Sequence, residues 1–237
     1  MLSAFTRTAG LAAASAFILL AAAGAAQADD KPAVVFNAGV QSDYVFRGVS
    51  QTDGRASVFA GADATWGQLY AGTWTSNLDF KPFGDSHTNE EVDLYAGLRP
   101  TVANVSLDLG AQYYGYVNQP SGGRVAYTEV YAKATRAFGP ATVGASLYYS
   151  PQFTGHTGEA WYSEANLAYT LSKKWSASGA LGRQDIAAGG SYTTWNAGLT
   201  YAVTSHLSLD GRYWDTNEHR FGDPYHARAV LALKATF

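Results

Sequence analysis

The chain contains no cysteine and few charges, only 15% of its 237 residues being Asp, Glu, Lys or Arg. The first absence excludes a small secreted module held together by disulfides. The second puts the charged fraction well below the quarter usual in soluble globular proteins. Yet the chain is not apolar on average, with a mean hydropathy of −0.14, and beyond its N-terminal segment no apolar run is long enough for a transmembrane helix. Runs of like charge are also missing, and a net charge of −3 with a pI near 5.9 offers no basic surface for nucleic acid. What is abundant is aromatic side chain (14%), with 16 Tyr and 25 Gly, which excludes a disordered chain. The protein is therefore apolar in pattern while being neutral in the mean.

Met1 to Ala28 has the layout of a secretory signal peptide. A short polar start with Arg7 leads into an apolar stretch from Gly10 to Ala26, and Ala26-Gln27-Ala28 is a small-x-small cleavage site. An uncleaved anchor is the alternative, but the dominance of Ala and Gly and the following Asp29-Asp30 fit removal better. Residues 29–237 are then a single exported domain.

Within that domain the recurring period is two. Val34, Phe36, Ala38 and Val40 alternate with Val35, Asn37, Gly39 and Gln41. Val58, Ala60, Ala62, Ala64 and Trp66 alternate with Phe59, Gly61, Asp63 and Thr65, and Val92, Leu94, Ala96 and Leu98 with Asp93, Tyr95, Gly97 and Arg99. Further apolar rows are Val105, Leu107, Leu109; Val143, Ala145, Leu147; Ala165, Leu167, Tyr169; Trp195, Ala197, Leu199, Tyr201; and Ala229, Leu231, Leu233, Ala235, Phe237. Such alternation marks strands with one apolar and one polar face.

Short turns at Gly67-Gln68, Arg99 to Asn104, Gly139-Pro140, Ser172 to Lys174 and Thr204 to His206 alternate with longer polar stretches. These begin near Gly48, Asp79, Val117, Pro151, Gln184 and Asp215. Five short turns and six longer loops predict about twelve strands with both termini at the short-turn end. A membrane-crossing strand needs roughly 9–11 residues, which the spacing accommodates. Short periplasmic turns opposite long extracellular loops are the asymmetry of outer-membrane barrels. The expected fold is thus an all-β, closed, antiparallel transmembrane barrel in a bacterial outer membrane.

A soluble β-sandwich would also alternate. Aromatic placement decides against it: Trp66, Tyr70, Phe138, Tyr169, Trp175, Tyr201 and Phe237 gather at the turn end, and Tyr44, Trp74, Tyr113, Tyr149, Trp161, Trp195 and Tyr213 toward the loops. Two girdles around an Ala/Val/Leu band are what the two interfaces of a bilayer select. The terminal Phe237, on an alternating last strand, resembles the signal read by the barrel-assembly machinery, an expected partner alongside outer-membrane lipid and lipopolysaccharide.

The stretch Ser42-Asp43-Tyr44-Val45-Phe46-Arg47-Gly48-Val49-Ser50-Gln51-Thr52 resembles the Gcw_chp family of bacterial outer-membrane proteins, also described as TorF-family porins. The likeness continues through Tyr70 to Phe80 and Glu91 to Gly97, and is one of pattern in the second half. It implies an outer-membrane barrel of porin type with no established substrate and no catalytic residues.

If the apolar rows face lipid, the opposite phase lines the lumen. Asp43, Asp63, Asp93, Asp108, Glu129, Glu164 and Asp210 then face inward with Arg47, Lys133, Arg212, Arg228 and Lys234. Those side chains could form a constriction that sorts small hydrophilic solutes, or could pair across a narrow barrel and plug it. Twelve strands lie between barrels filled by side chains and open porins, so the count leaves both readings open. Arg47 could meet an anionic solute at the outer mouth, or fix strand register against Asp63 or Asp79. Carboxylates and histidines in the stretches from Asp79 to Glu91 and from Glu218 to His226 have no regular ligand spacing, and no metal or other cofactor is expected. An outer-membrane enzyme is the rival class, but there is no G-x-S-x-G and no cysteine nucleophile, and nothing singles out Ser50 with His87 or His156.

Overall fold

The computed structural model describes residues 32–120 and 125–237, so the signal peptide expected over residues 1–28 lies outside the described residues. The wall consists of twelve strands: β1 (Ala33–Gln41), β2 (Ser57–Trp66), β3 (Leu69–Asn77), β4 (Glu90–Leu98), β5 (Val105–Val117), β6 (Tyr127–Phe138), β7 (Ala141–Ser150), β8 (Ala160–Thr170), β9 (Trp175–Ile186), β10 (Tyr192–Ala202), β11 (Leu207–Thr216) and β12 (Arg228–Thr236). Each pairs antiparallel with its sequence neighbour. The first and last strands close the ring in the register Asn37↔Thr236 to Gln41↔Ala232. The seam extends through Phe237, whose backbone exchanges hydrogen bonds of 2.9 and 3.1 Å with Phe36. Closure matters because a peptide group left unpaired in hydrocarbon costs several kcal/mol. Strand lengths of 9–13 residues match the thickness of a bilayer core.

The expected apolar rows are the outer face. Val34, Phe36, Val58, Leu94, Leu109, Leu147, Leu167, Leu199 and Leu231 are all exposed on the isolated chain, as lipid-facing side chains must be. Girdle aromatics sit at both ends of this band and pack across strands: Trp175 on Tyr201 with ring centroids 4.8 Å apart at the turn end, Tyr149 on Trp161 at 4.5 Å at the loop end. Such pairs stabilise adjacent strands by roughly 0.5–1.5 kcal/mol beyond their burial.

Three expected girdle members are instead interior. Tyr44, Tyr70 and Trp74 are turned into the barrel, with Trp74 packed against Tyr44 at 5.2 Å and stacked over Phe59 at 6.2 Å. In β3 the outward positions are Leu69, Ala71, Thr73 and Thr75, and the inward ones Tyr70, Gly72, Trp74 and Ser76. Alternation alone is ambiguous there, because neither face is uniformly apolar.

The interior also explains the joint abundance of Gly and Tyr. Directly across the ladder, Gly72 faces Tyr95, Gly97 faces Tyr70 and Gly110 faces Tyr131. A Cβ at any of these glycines would run into its partner's ring or hydroxyl. The missing side chain is what lets each ring lie flat along the inner wall.

An arginine in the outer band tests the assignment of faces. Leu199→Arg should destabilise the folded barrel by about 2–4 kcal/mol, less toward the interface, in refolding equilibria in lipid vesicles. A tolerated arginine would mean that the outward face does not meet lipid.

Candidate functional site

The segment joining β1 to β2 carries the Asp43 to Thr52 block, and it does not extend away from the barrel. Every residue from Asp43 to Thr52 is buried apart from Phe46, which is half-buried. Val45–Phe46 pairs with Val49–Ser50 as a two-stranded ribbon around Arg47-Gly48, both at positive φ (48° and 83°). Positive φ at both central positions is the tight hairpin turn whose twist suits flanking strands, and Asn-Gly is its usual sequence. An arginine there is strained, so its side chain has to compensate.

It does so by reaching the opposite wall. The Arg47 guanidinium donates from Nη1 and Nη2 to Glu129 Oε1 (2.9 Å) and Oε2 (2.7 Å) on β6, and from Nη1 to Gln184 Oε1 (3.0 Å) on β9. It lies 4.3 Å from the Tyr162 ring centroid and 4.8 Å from that of Tyr148. Arg47 is 2% exposed and Glu129 1%, so the pair is desolvated, and Tyr114 Oη donates a further bond to Glu129 at 3.1 Å. A buried pair of this kind is tolerable only when its remaining lone pairs and protons find partners, as they do here. At Gly48 a Cβ would collide with Thr194 of β10, so the turn is pressed against the wall.

The base of the hairpin is fixed separately. Asp43 accepts from Ser50 Oγ (2.7 Å), Thr52 Oγ1 (2.8 Å) and Arg228 Nη1 (2.7 Å) on β12. Val45 packs with Trp214 and Val230 in a small apolar cluster. The hairpin thus crosses the barrel interior from the β11–β12 side to β6 and β9. Beside it remains a cavity of about 90 Å³, bounded by Tyr44, Phe46 and Arg47 of the hairpin and by Phe59, Trp74, Asp93, Tyr95, Asp108 and Lys133 of the wall.

All twelve charged residues expected in the lumen lie on the interior side, but Asp43 and Arg47 do so from the hairpin and not from a strand face. Arg47 pairs with Glu129, and neither Asp63 nor Asp79 is its partner. Arg212 bridges Asp210 (3.1 Å), and Lys133 lies 3.9 Å from Asp108. Lys234 is buried and interacts electrostatically with Asp63, which also accepts from Tyr95 Oη at 2.8 Å. Glu164 is held by Tyr162 Oη (2.8 Å) and Asn166 Nδ2 (3.3 Å). Two further charges belong to this lining: Glu91 and Arg99. They share the inward phase of Asp93, and that phase is the sequence signal by which they can be found. Arg99 bridges Asp108 at 3.4 Å and lies 3.6 Å over the Tyr70 ring.

The interior bases are then Arg47, Arg99, Lys133, Arg212, Arg228 and Lys234, each facing an acid. The acids Glu91, Asp93 and Glu164 form no salt bridge among the described residues, which leaves the lumen with an acidic excess. Ser50 is buried on Asp43, while His87 and His156 lie in exposed loops, so these three are not brought together.

Residues 25–237 match the family Gcw_chp, described as a bacterial protein of unknown function, and the chain belongs to that family. No curated protein matches it. Among solved structures it is similar to the KdgM porin in complex with disordered oligogalacturonate, at 9% identity and a TM-score of 0.60, covering 86% of this chain and 99% of that one. The NanC porin aligns at 10% identity with a TM-score of 0.58 over 86% and 99% of the two chains. The COG4313 outer-membrane channel from Pseudomonas putida F1 aligns at 10% identity and 0.53 over 87% and 95%. At these identities the likeness is one of fold: the closed porin-type barrel.

The clamp is open to a double-mutant cycle. Glu129→Ala should destabilise the barrel by about 3–5 kcal/mol by stranding the Arg47 charge, and adding Arg47→Met should recover most of that loss in denaturant unfolding of the detergent-solubilised protein. Additive losses would contradict a direct pair.

Proposed function

We propose that this Gcw_chp protein is an outer-membrane channel for passive diffusion of small hydrophilic solutes, narrowed by the inward hairpin and preferring cations. The observation that carries the reading is the cavity left beside the hairpin in a closed barrel, walled largely by aromatic rings and bordered by charged groups. Charges that pair across the barrel fill it, whereas Asp93 has no base partner among the described residues and faces the space that remains. The likeness in fold to porins supports it. The cavity's own border balances Asp63, Asp93 and Asp108 against Arg47, Arg99 and Lys133, so the cation preference rests on the wider lumen, where Glu91 and Glu164 add two acids that no base among the described residues bridges.

The same reading puts the short turns and both ends of the barrel in the periplasm, with the signal peptide removed after Ala28. Lipopolysaccharide surrounds the loop end. Phe237, 72% exposed at the end of the last strand, is offered to the assembly machinery. No reaction is assigned to the lumen.

The buried Arg47 clamp favours a second reading, an occluded barrel with a structural or adhesive role. Currents across planar bilayers separate the two. The channel reading predicts small discrete steps, a reversal potential of cation-preferring sign in a KCl gradient, and larger steps in Glu129→Ala, where the hairpin is released. An absence of steps from both folded proteins would establish occlusion and overturn the channel.

A further inference from the structure

Glu91 and Asp93 stand two apart on the inner face of β4, with 2% and 4% exposure. Glu91 accepts from Tyr44 Oη at 2.9 Å, and Asp93 Oδ2 from Gln112 Nε2 at 2.8 Å. The interior bases are engaged with other acids. Asp93 Oδ1 is buried and meets no nitrogen or hydroxyl donor among the described residues, its carboxyl contacting instead that of Glu91. Asp93 borders the cavity, as do Arg47, Arg99 and Lys133, each of which is held by another acid. Two buried carboxyls in contact are costly to ionise together, and a cationic donor entering the cavity would lower that cost.

Around the same carboxylates stands an aromatic wall. Trp74 is the direct cross-strand partner of Asp93, its ring lies 5.2 Å from Tyr44, and Phe59 stacks behind it. Aromatic faces beside carboxylates are the surroundings that suit a weakly hydrated organic cation, which gains from ring quadrupoles as well as from charge. A strongly hydrated metal ion would want several oxygen ligands, and no cluster of three or more His, Asp or Glu among the described residues is arranged to supply them.

We propose that the cavity bounded by Asp93, Trp74 and Tyr44 is a binding site for a small organic cation of the guanidinium or alkylammonium type. The cation's N–H groups donate to Asp93 Oδ1 and its flat or methylated face lies on Trp74, with Glu91 adding charge from behind. This rests on the channel reading for its physiological meaning, since it names the solute class that the lumen would retain in passage.

The test is binding, independent of conduction. Titration calorimetry of the refolded, detergent-solubilised protein with methylguanidinium at neutral pH and low salt should give one site, with acetate as a non-binding control. Asp93→Asn keeps the shape and removes the charge, and should weaken binding about ten- to hundredfold, the loss expected for a charge-assisted hydrogen bond. Trp74→Leu should weaken it severalfold, with Trp74→Phe restoring part, and Asp79→Asn in an outer loop should change nothing. Unfolded variants are recognised by lost heat-modifiable migration on gels, and the isosteric Asp93→Asn then carries the test. Absence of binding by the folded protein, as when the two carboxyls hold a proton between them, would overturn the site. So would binding unaffected by Asp93→Asn, or displacement of methylguanidinium by equimolar K⁺. A folded protein that binds methylguanidinium but shows no bilayer current would retain this site while losing the channel reading, and the reverse result would do the opposite.

Discussion

Every peptide group in the membrane-spanning wall must be paired within the protein, and the rest of the molecule follows from that requirement. Pairing without an edge demands closure. The register between β1 and β12 supplies it, from Gln41 opposite Ala232 to Asn37 opposite Thr236, and the backbone bonds between Phe36 and Phe237 carry it one step further. Closure in turn separates two surfaces. The outer one has to be apolar to meet lipid, and the inner one is left to hold everything polar, which is how a chain with few charges and a near-neutral mean hydropathy conceals two opposite faces.

The inner surface then faces a packing problem of its own. Twelve strands enclose more space than wall side chains of ordinary size can fill. Here the fill comes from two devices. Tyrosine rings lie over facing glycines, as Tyr95 does over Gly72 and Tyr131 over Gly110, and the Asp43 to Thr52 hairpin crosses what is left. The bidentate Arg47–Glu129 pair holds the hairpin at its tip and the Arg228–Asp43 pair holds it at its base. Two anchors at opposite walls make the hairpin part of the barrel's interior, and the space beside it is what any solute would have to use.

Much of the wall is legible in the sequence because lipid imposes a strict rule on one face. The rows containing Leu109, Leu147, Leu199 and Leu233 have the phase expected of them, and the alternation of short turns with longer loops gives the strand count. The interior is less legible, because polar, aromatic and small residues are all acceptable there. Tyr70 and Trp74 read as girdle residues since they sit near strand ends, where an inward and an outward ring look alike without a clear phase. The hairpin is hidden for a different reason. Its polar residues are those of a solvated loop, and only contacts 82 and 137 positions away, to Glu129 and Gln184, reveal that it is buried. Phase identifies the charged residues of the lumen one by one, while their partners depend on those long-range contacts.

The absence of cysteine makes the central claim, a hairpin seated across the lumen, directly measurable. A Cβ placed at Gly48 would lie 2.8 Å from the Thr194 Cβ, so a small backbone shift brings a cysteine pair at these positions to the separation that a disulfide requires, about 3.5–4.5 Å. The double variant Gly48→Cys with Thr194→Cys, folded into detergent or vesicles and mildly oxidised, should form the crosslink nearly quantitatively, seen as altered migration of the unfolded chain on non-reducing gels. Both thiols remaining free, and both reacting rapidly with a bulky maleimide in the folded barrel, would show that the hairpin lies outside the lumen and would contradict the claim.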